Sequence, residues 1–261
     1  MILLFVGDVV GKPGRRALAR ILPRLVDEHQ VDYSVVNIEN SAGGFGVTPA
    51  VLSEIDELAI DCYTSGNHIW DKKEGVELLD LEPRLLRPAN YPEGAPGSGL
   101  HVGETAAGIK VATINLEGQV FMKALESPFR VADGLLAGLD DDVKVILVDF
   151  HCEATSEKQA MGFFLDGRVS AVIGTHTHAP TADERILPQG TAFQTDAGMT
   201  GPYESVIGMR HDKVLRRFMT QLRTPFEVAK RDVRLAAVKI DVDESTGHAR
   251  SIERFLIRHE P

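Results

Sequence analysis

Val169-Ser170-Ala171-Val172-Ile173-Gly174-Thr175-His176-Thr177-His178 is a mostly apolar run that ends on two imidazoles one residue apart. A short buried run that stops on metal-ligating side chains reads as a strand delivering chemistry at its carboxyl end. Other apolar runs end in the same way, on Gly7-Asp8, on Asn37-Ile38-Glu39-Asn40, on Gly66-Asn67-His68 and on Asp149-Phe150-His151. In an open α/β sheet the carboxyl ends of the strands share one edge, where ligands bind, so these separated clusters are expected to meet in one cleft.

The segments between them supply the rest of the fold. Pro13 to His29 puts Leu18, Ile21, Leu22, Leu25 and Val26 on one helical face, with Pro23 expected to kink it. Tyr33 to Ile38 and Ile60 to Thr64 read as strands, and Thr48-Pro49 as the cap and first residue of a helix through Leu58. A short helix over Lys72 to Leu81 precedes a proline- and glycine-rich stretch, Arg84 to Gly99, expected to be functional or mobile and to help read the substrate. Strands follow near 100–102, 109–115, 143–148, 169–173 and 191–195, with a helix near 156–165. The segments 233–241 and 249–257 alternate like a hairpin and are expected to pad the second sheet. The fold class expected is α/β: two mixed β-sheets packed as a sandwich flanked by helices, in a single domain over residues 1–261.

Composition narrows the function. The chain has 261 residues and a formal net charge of −10, which argues against a surface that neutralises many phosphates of a long nucleic acid. A small anionic substrate is still admissible, because a bound metal supplies local positive charge. Two cysteines, Cys62 and Cys152, are too few for a disulfide framework and suggest a reduced, cytoplasmic protein. The apolar start, Met1 to Val6, has no basic leader and reads as a strand; no stretch is long enough to cross a bilayer. Gly7-Asp8-Val9-Val10-Gly11-Lys12 is not a P-loop, since its glycines stand too close and Pro13 occupies the Ser/Thr position.

Asp8, Glu39, Asn40, Asn67, His151, His176 and His178 form an oxygen and nitrogen ligand set with no thiolate, suited to iron or manganese, with zinc as the alternative. They are more side chains than one tetrahedral zinc site takes, so two ions are expected, with the Glu39 carboxylate as the bridge. His68 follows Asn67 directly. Neighbours on an extended segment point apart, so if Asn67 is a ligand, His68 is placed to lean over the substrate as a proton donor. Taken singly, Asp8 and Asn40 are ordinary turn residues and Asn67-His68 an ordinary loop; their joint placement at strand ends favours the metal reading. Asp149, Glu153, Asp183 and Asp196 orient ligands or merely cap turns. His29, His101, His211, His248 and His259 have no such partners. Asp140-Asp141-Asp142 is a solvated turn, and Gly43-Gly44-Phe45-Gly46 either admits substrate or forms a turn with positive φ.

Gly66-Asn67-His68, the lone His151 and Gly174-Thr175-His176-Thr177-His178 resemble the signature of the calcineurin-like metallophosphoesterase superfamily. Two motifs depart from it. Asp8-Val9-Val10 stands where the superfamily has Asp-x-His, and Asn37-Ile38-Glu39-Asn40 where it has a Gly-Asp pair. Those departures resemble the bacterial YmdB-type branch, in which Glu bridges and the following Asn replaces the missing histidine. Asn40-Ser41-Ala42-Gly43-Gly44, the stretch from Phe150 to Lys158 and the stretch from Gln194 to Pro202 resemble that branch too. The resemblance runs from Met1 to about Arg210 and carries little chemistry beyond it.

The resemblance implies a dimetal centre with a bridging hydroxide as nucleophile. One ion is then held by Asp8, Glu39, Asn40 and His178, the other by Glu39, Asn67, His151 and His176, with His68 as proton donor. It implies hydrolysis of phosphodiesters, with 2′,3′-cyclic nucleotides opened to 3′-nucleotides, on a small substrate or on RNA ends. The alternatives are a phosphomonoesterase or nuclease on the same centre, and a low-turnover nucleotide- or RNA-binding regulator. The last has little support, because one Trp, four Tyr and no arginine-rich base-stacking surface are visible in the sequence. A homo-oligomer is compatible with the chain.

Overall fold

The computed structural model describes residues 1–260. In chain order its elements are β1 (Ile2–Val6), α1 (Gly11–His29), β2 (Tyr33–Asn37), α2 (Pro49–Asp56), β3 (Cys62–Thr64), α3 (Lys73–Leu78), β4 (Leu100–Glu104) and β5 (Lys110–Glu117). The second half adds α4 (Pro128–Ala137), β6 (Val145–His151), α5 (Thr155–Leu165), β7 (Ala171–Thr175), β8 (Arg185–Ile186), β9 (Ala192–Gln194), β10 (Gly201–Pro202), α6 (His211–Thr220), β11 (Val233–Val242) and β12 (Ala249–Arg258). They form two mixed sheets. In the first, β1, β2 and β3 run parallel, β11 lies antiparallel to β1, and β10 and β12 both pair with β11. In the second, β5, β6, β7 and β9 are parallel, with β4 and β8 antiparallel at the edges.

Strand alternation sets the layers. Leu3 and Phe5 of β1 pack between the sheets against Val111, Val145, Leu147 and Ile173, while Leu4 and Val6 meet Leu18 and Leu22 of α1 on the outer side. Beyond the second sheet, Ile114, Val148 and Phe193 pack on Met161 and Leu165 of α5. Sheets covered on both faces explain why the central strands read as continuous apolar runs.

The structure adds local detail to several expectations. α1 runs continuously through Pro23, which lies on the exposed face where the carbonyl it cannot bond reaches water. The C-terminal hairpin pairs into the first sheet, Ala237–Asp241 of β11 lying against Val6–Ile2, and from there it packs on the second, where Val238, Ile240, Val242 and Ala249 join Val145, Ala171 and Ala192. Alternation marks β11 as a strand with buried side chains but says nothing about which sheet receives it. Residues 84–99 are tied down, because the Arg87 guanidinium donates to the carbonyls of Pro88, Ala89 and Pro96, and Leu85 and Leu86 are buried in the cores on either side of the first sheet. Thr48 caps α2 as expected, accepting from the Val51 N–H at 3.4 Å. Among the described residues no helix is long and apolar enough to cross a membrane.

Candidate metal centre

The parallel strands hand their side chains to one place. β1 leads into Asp8, β2 into Glu39 and Asn40, and β3 into Asn67 and His68; β6 ends on His151 and β7 stops just before His176. The two sheets meet there. Glu39 Oε1 from the first lies 3.0 Å from His151 Nε2 of the second, and Asp8 Oδ2 accepts from the His176 backbone N–H at 3.3 Å.

Around His151 Nε2, Asn67 Oδ1 and His176 Nδ1 also approach to 3.0 Å. One ring nitrogen offers one proton or one lone pair, so it cannot satisfy three such neighbours. Asp8 Oδ1 stands 3.9 Å from His178 Nε2. The Asn40 amide nitrogen donates to the Gly44 carbonyl at 3.2 Å, leaving its oxygen as the free atom. Asp8 Oδ1, Glu39 Oε1 and Asn40 Oδ1 are buried without a hydrogen-bond donor, the 3.0 Å approach of His151 to Glu39 being poorly aligned for one. An unpartnered buried polar atom costs about 1–3 kcal/mol, and several at one point fit a cation.

The outer nitrogens of the histidines agree with that fit. His151 Nδ1 lies 3.0 Å from Thr175 Oγ1, whose own hydrogen goes to Asp149 Oδ1 at 2.6 Å, so Nδ1 donates and Nε2 faces the cluster. His176 Nε2 meets Glu153 Oε2 at 3.1 Å, and His178 Nδ1 donates to the Ile207 carbonyl at 2.9 Å. An outer hydrogen bond of this kind orients a ligating imidazole. Without a cation the same atoms form an ion pair. Burial opposes charge on His151, but Glu39, Asp8 and Asp149 outweigh it and hold the imidazole up to about 9. Burial likewise opposes the Glu39 carboxylate, yet His151 and His68 hold it down to about 2. Burial and the charge of His151 push His176 down to about 3.

Beneath the cluster, Asp149 joins the sheets by accepting from Asn37 Nδ2 and the Thr64 hydroxyl as well as from Thr175; burial pushes its carboxyl up to about 7. Asp196 holds the histidine turn. It accepts from the Thr177 N–H and hydroxyl and the Gly198 N–H, and pairs with Lys158 Nζ at 2.6 Å. That turn needs holding, because His176 and His178 sit at φ 95° and 64°, in the left-handed region that non-glycine residues avoid. Both Lys158 and Asp196 are 1 % exposed. Lys158→Ala is therefore expected to destabilise the fold by about 3–5 kcal/mol in chemical denaturation, since it strands a buried carboxylate; an unchanged midpoint would refute the pairing. Glu153 meets His176, whereas Asp183 accepts from Thr195 and anchors its own loop.

A cavity of about 690 Å³ opens over the cluster. Glu39, Asn40, His68, His176 and His178 line one side; Phe45, Ile207, Met209, Arg217, Phe218 and Phe226 line the other. The second wall corrects two expectations. The segment past Arg210 is part of the site, and an arginine with aromatic rings does come together there from distant positions. Residues 84–99, expected to read the substrate, contribute nothing to this lining, and neither do His29, His101, His211, His248 or His259. Gly43, Gly44 and Gly46 all take positive φ, turning the chain so that Phe45 reaches the cavity. The sequence reading missed Asp71, whose carboxylate lies 2.7 Å from His68 Nδ1. A 3₁₀ turn over Ile69–Asp71 brings His68 and Asp71 to the same side, and their three-residue spacing was the available signal.

Known proteins share this arrangement of chain. The description "YmdB-like protein" matches residues 4–255. A 2′,3′-cyclic-nucleotide 2′-phosphodiesterase of Bacillus subtilis (strain 168) is 46 % identical over 260 residues, covering 100 % of this chain and 98 % of that protein. The crystal structure of a hypothetical protein from Thermus thermophilus superposes with a TM-score of 0.94 at 40 % identity, covering both chains completely. That of a novel phosphatase from Mycoplasma pneumoniae gives 0.93 at 35 % identity, over 99 % of this chain and 93 % of that one. With its sequence matched almost end to end and its two-sheet fold reproduced in solved relatives, the chain belongs to the YmdB-like protein family.

Proposed function

We propose that this chain is a dimetal phosphodiesterase that opens 2′,3′-cyclic nucleotides to 3′-nucleotides. The convergence of buried, unpartnered oxygens and outward-anchored imidazoles on the floor of a cavity sized for a small ligand carries this reading. Asp8, Glu39, Asn40 and His178 would hold one ion, and Glu39, Asn67, His151 and His176 the other, with iron or manganese preferred and zinc as the alternative. Bound there, the ions would neutralise the phosphate oxygens and lower the pKa of a water.

The chain's own residues position and protonate. Glu39 Oε2 accepts from the His68 backbone N–H at 2.9 Å, which ties His68 to the ligand set. Asp71 accepts a hydrogen bond from the His68 Nδ1–H, which leaves Nε2 toward the cavity. From Nε2 a proton passes to the departing 2′-oxygen. Phe45 meets the His68 ring edge-on at 4.9 Å and shields that side of it from water. The activity named for the Bacillus subtilis relative supports the reading.

Metal-loaded protein is expected to cleave bis-p-nitrophenyl phosphate faster than p-nitrophenyl phosphate. The Mycoplasma pneumoniae neighbour is described as a phosphatase, which supports a competing reading, a phosphomonoesterase on the same centre. Faster cleavage of the monoester would establish it.

A further inference from the structure

The wall opposite the ligands is made of residues that the phosphate chemistry does not use. From His68 outward the cavity is lined by a line of flat groups: Phe45 at 4.9 Å from His68, Phe226 at 6.1 Å from Phe45, and the Arg217 guanidinium 5.0 Å from the centre of the Phe226 ring. Phe226 is 43 % exposed and Phe218 73 %, an expensive arrangement for large apolar groups unless something planar covers them. The wall also carries a cation, Arg217. Arg210 and Lys213 are engaged by Asp212 and Glu227, whereas Arg217 pairs with no carboxylate among the described residues. An unpaired planar cation stacked on an aromatic ring, beside a phosphate centre, has the chemistry of a nucleotide platform: π-faces for a base and positive charge for an anion.

We infer that this wall is the nucleobase subsite, with the base stacking on Phe226 and Arg217 while its ribose phosphate reaches the ligand set. The inference rests on the phosphodiesterase reading and deepens it, since it names the part of the substrate that the wall selects. Stacking needs only a π-face, so the subsite accepts any of the four bases and prefers purines for their larger area.

The test compares 2′,3′-cyclic AMP with the 2,3-cyclic phosphate of methyl riboside, which keeps the reacting ring and lacks the base. In metal-loaded Phe226→Ala protein the ratio of kcat/KM for the nucleotide over the base-free compound is expected to fall about 10-fold, mainly through KM, and Phe226→Trp is expected to restore it. An unchanged ratio would overturn the subsite, as would an equal loss on both substrates, which would mark Phe226 as structural or as a contact between copies of the chain. If the wild type hydrolyses neither compound, the phosphodiesterase reading fails and calorimetry of 3′-AMP binding decides the subsite. Binding about 10-fold weaker in Phe226→Ala sustains it, and equal or absent binding rejects it.

Discussion

Glu39→Ala is expected to come off purification without its metals and with turnover reduced by on the order of 10³-fold or more, the scale of losing several kcal/mol of charge stabilisation at the phosphate. Glu39 links the two sheets at the cluster: Oε1 stands against His151 of the second sheet, and Oε2 receives the backbone N–H of His68. In the proposed centre, removing it would take away the shared ligand and untie the proton donor at once. The fold should survive. His151 would lose the partner that most favours its charge, and burial would leave it neutral, still donating through Nδ1 to Thr175. Circular dichroism on the same sample separates loss of the centre from loss of structure. A native-like spectrum with metal content unchanged would remove Glu39 from the ligand set.

His68→Ala is expected to leave metal content intact and reduce kcat on 2′,3′-cyclic AMP by roughly 10²-fold or more, the usual contribution of a positioned general acid. The loss should depend on the leaving group. A ribose 2′-oxygen departs as an alkoxide and needs a proton, whereas p-nitrophenolate departs readily without one, so bis-p-nitrophenyl phosphate should suffer much less from the substitution. Equal losses on the two substrates would assign His68 to binding rather than to proton transfer. Full activity on the cyclic nucleotide would remove it from the mechanism.

The contrast between Asp8 and Arg217 shows how far the sequence could be read. Asp8, Glu39, Asn67, His151 and His176 each follow a run of strand residues, and parallel strands end at a common edge. Their meeting was therefore legible in the sequence alone. The two-sheet architecture was legible for the same reason, from the order of apolar runs. What lines the far wall was not. Apart from Val214 and the half-buried Lys213, α6 is exposed along its length, so it bears no buried apolar stripe to announce it, and Phe45 and Phe226 are brought together only by tertiary packing. Asp149 and Asp196 were ambiguous because an acid beside a strand end caps a turn as readily as it anchors a histidine. Only the identity of the donors, Thr175 under His151 and Lys158 beside Thr177, separates the two. The placement of β11 was closed to sequence for a geometric reason, since alternation fixes which side chains are buried and leaves open which neighbour the strand takes.

The most direct measurement is turnover of 2′,3′-cyclic AMP by wild-type protein purified without chelator, with metals quantified on the same sample and repeated after chelation and reloading. The expected result is hydrolysis to 3′-AMP with close to two metals per chain, lost on chelation and recovered on reloading. Two bound metals with the cyclic nucleotide returned intact, or undiminished turnover after the metals are stripped, would contradict a dimetal phosphodiesterase.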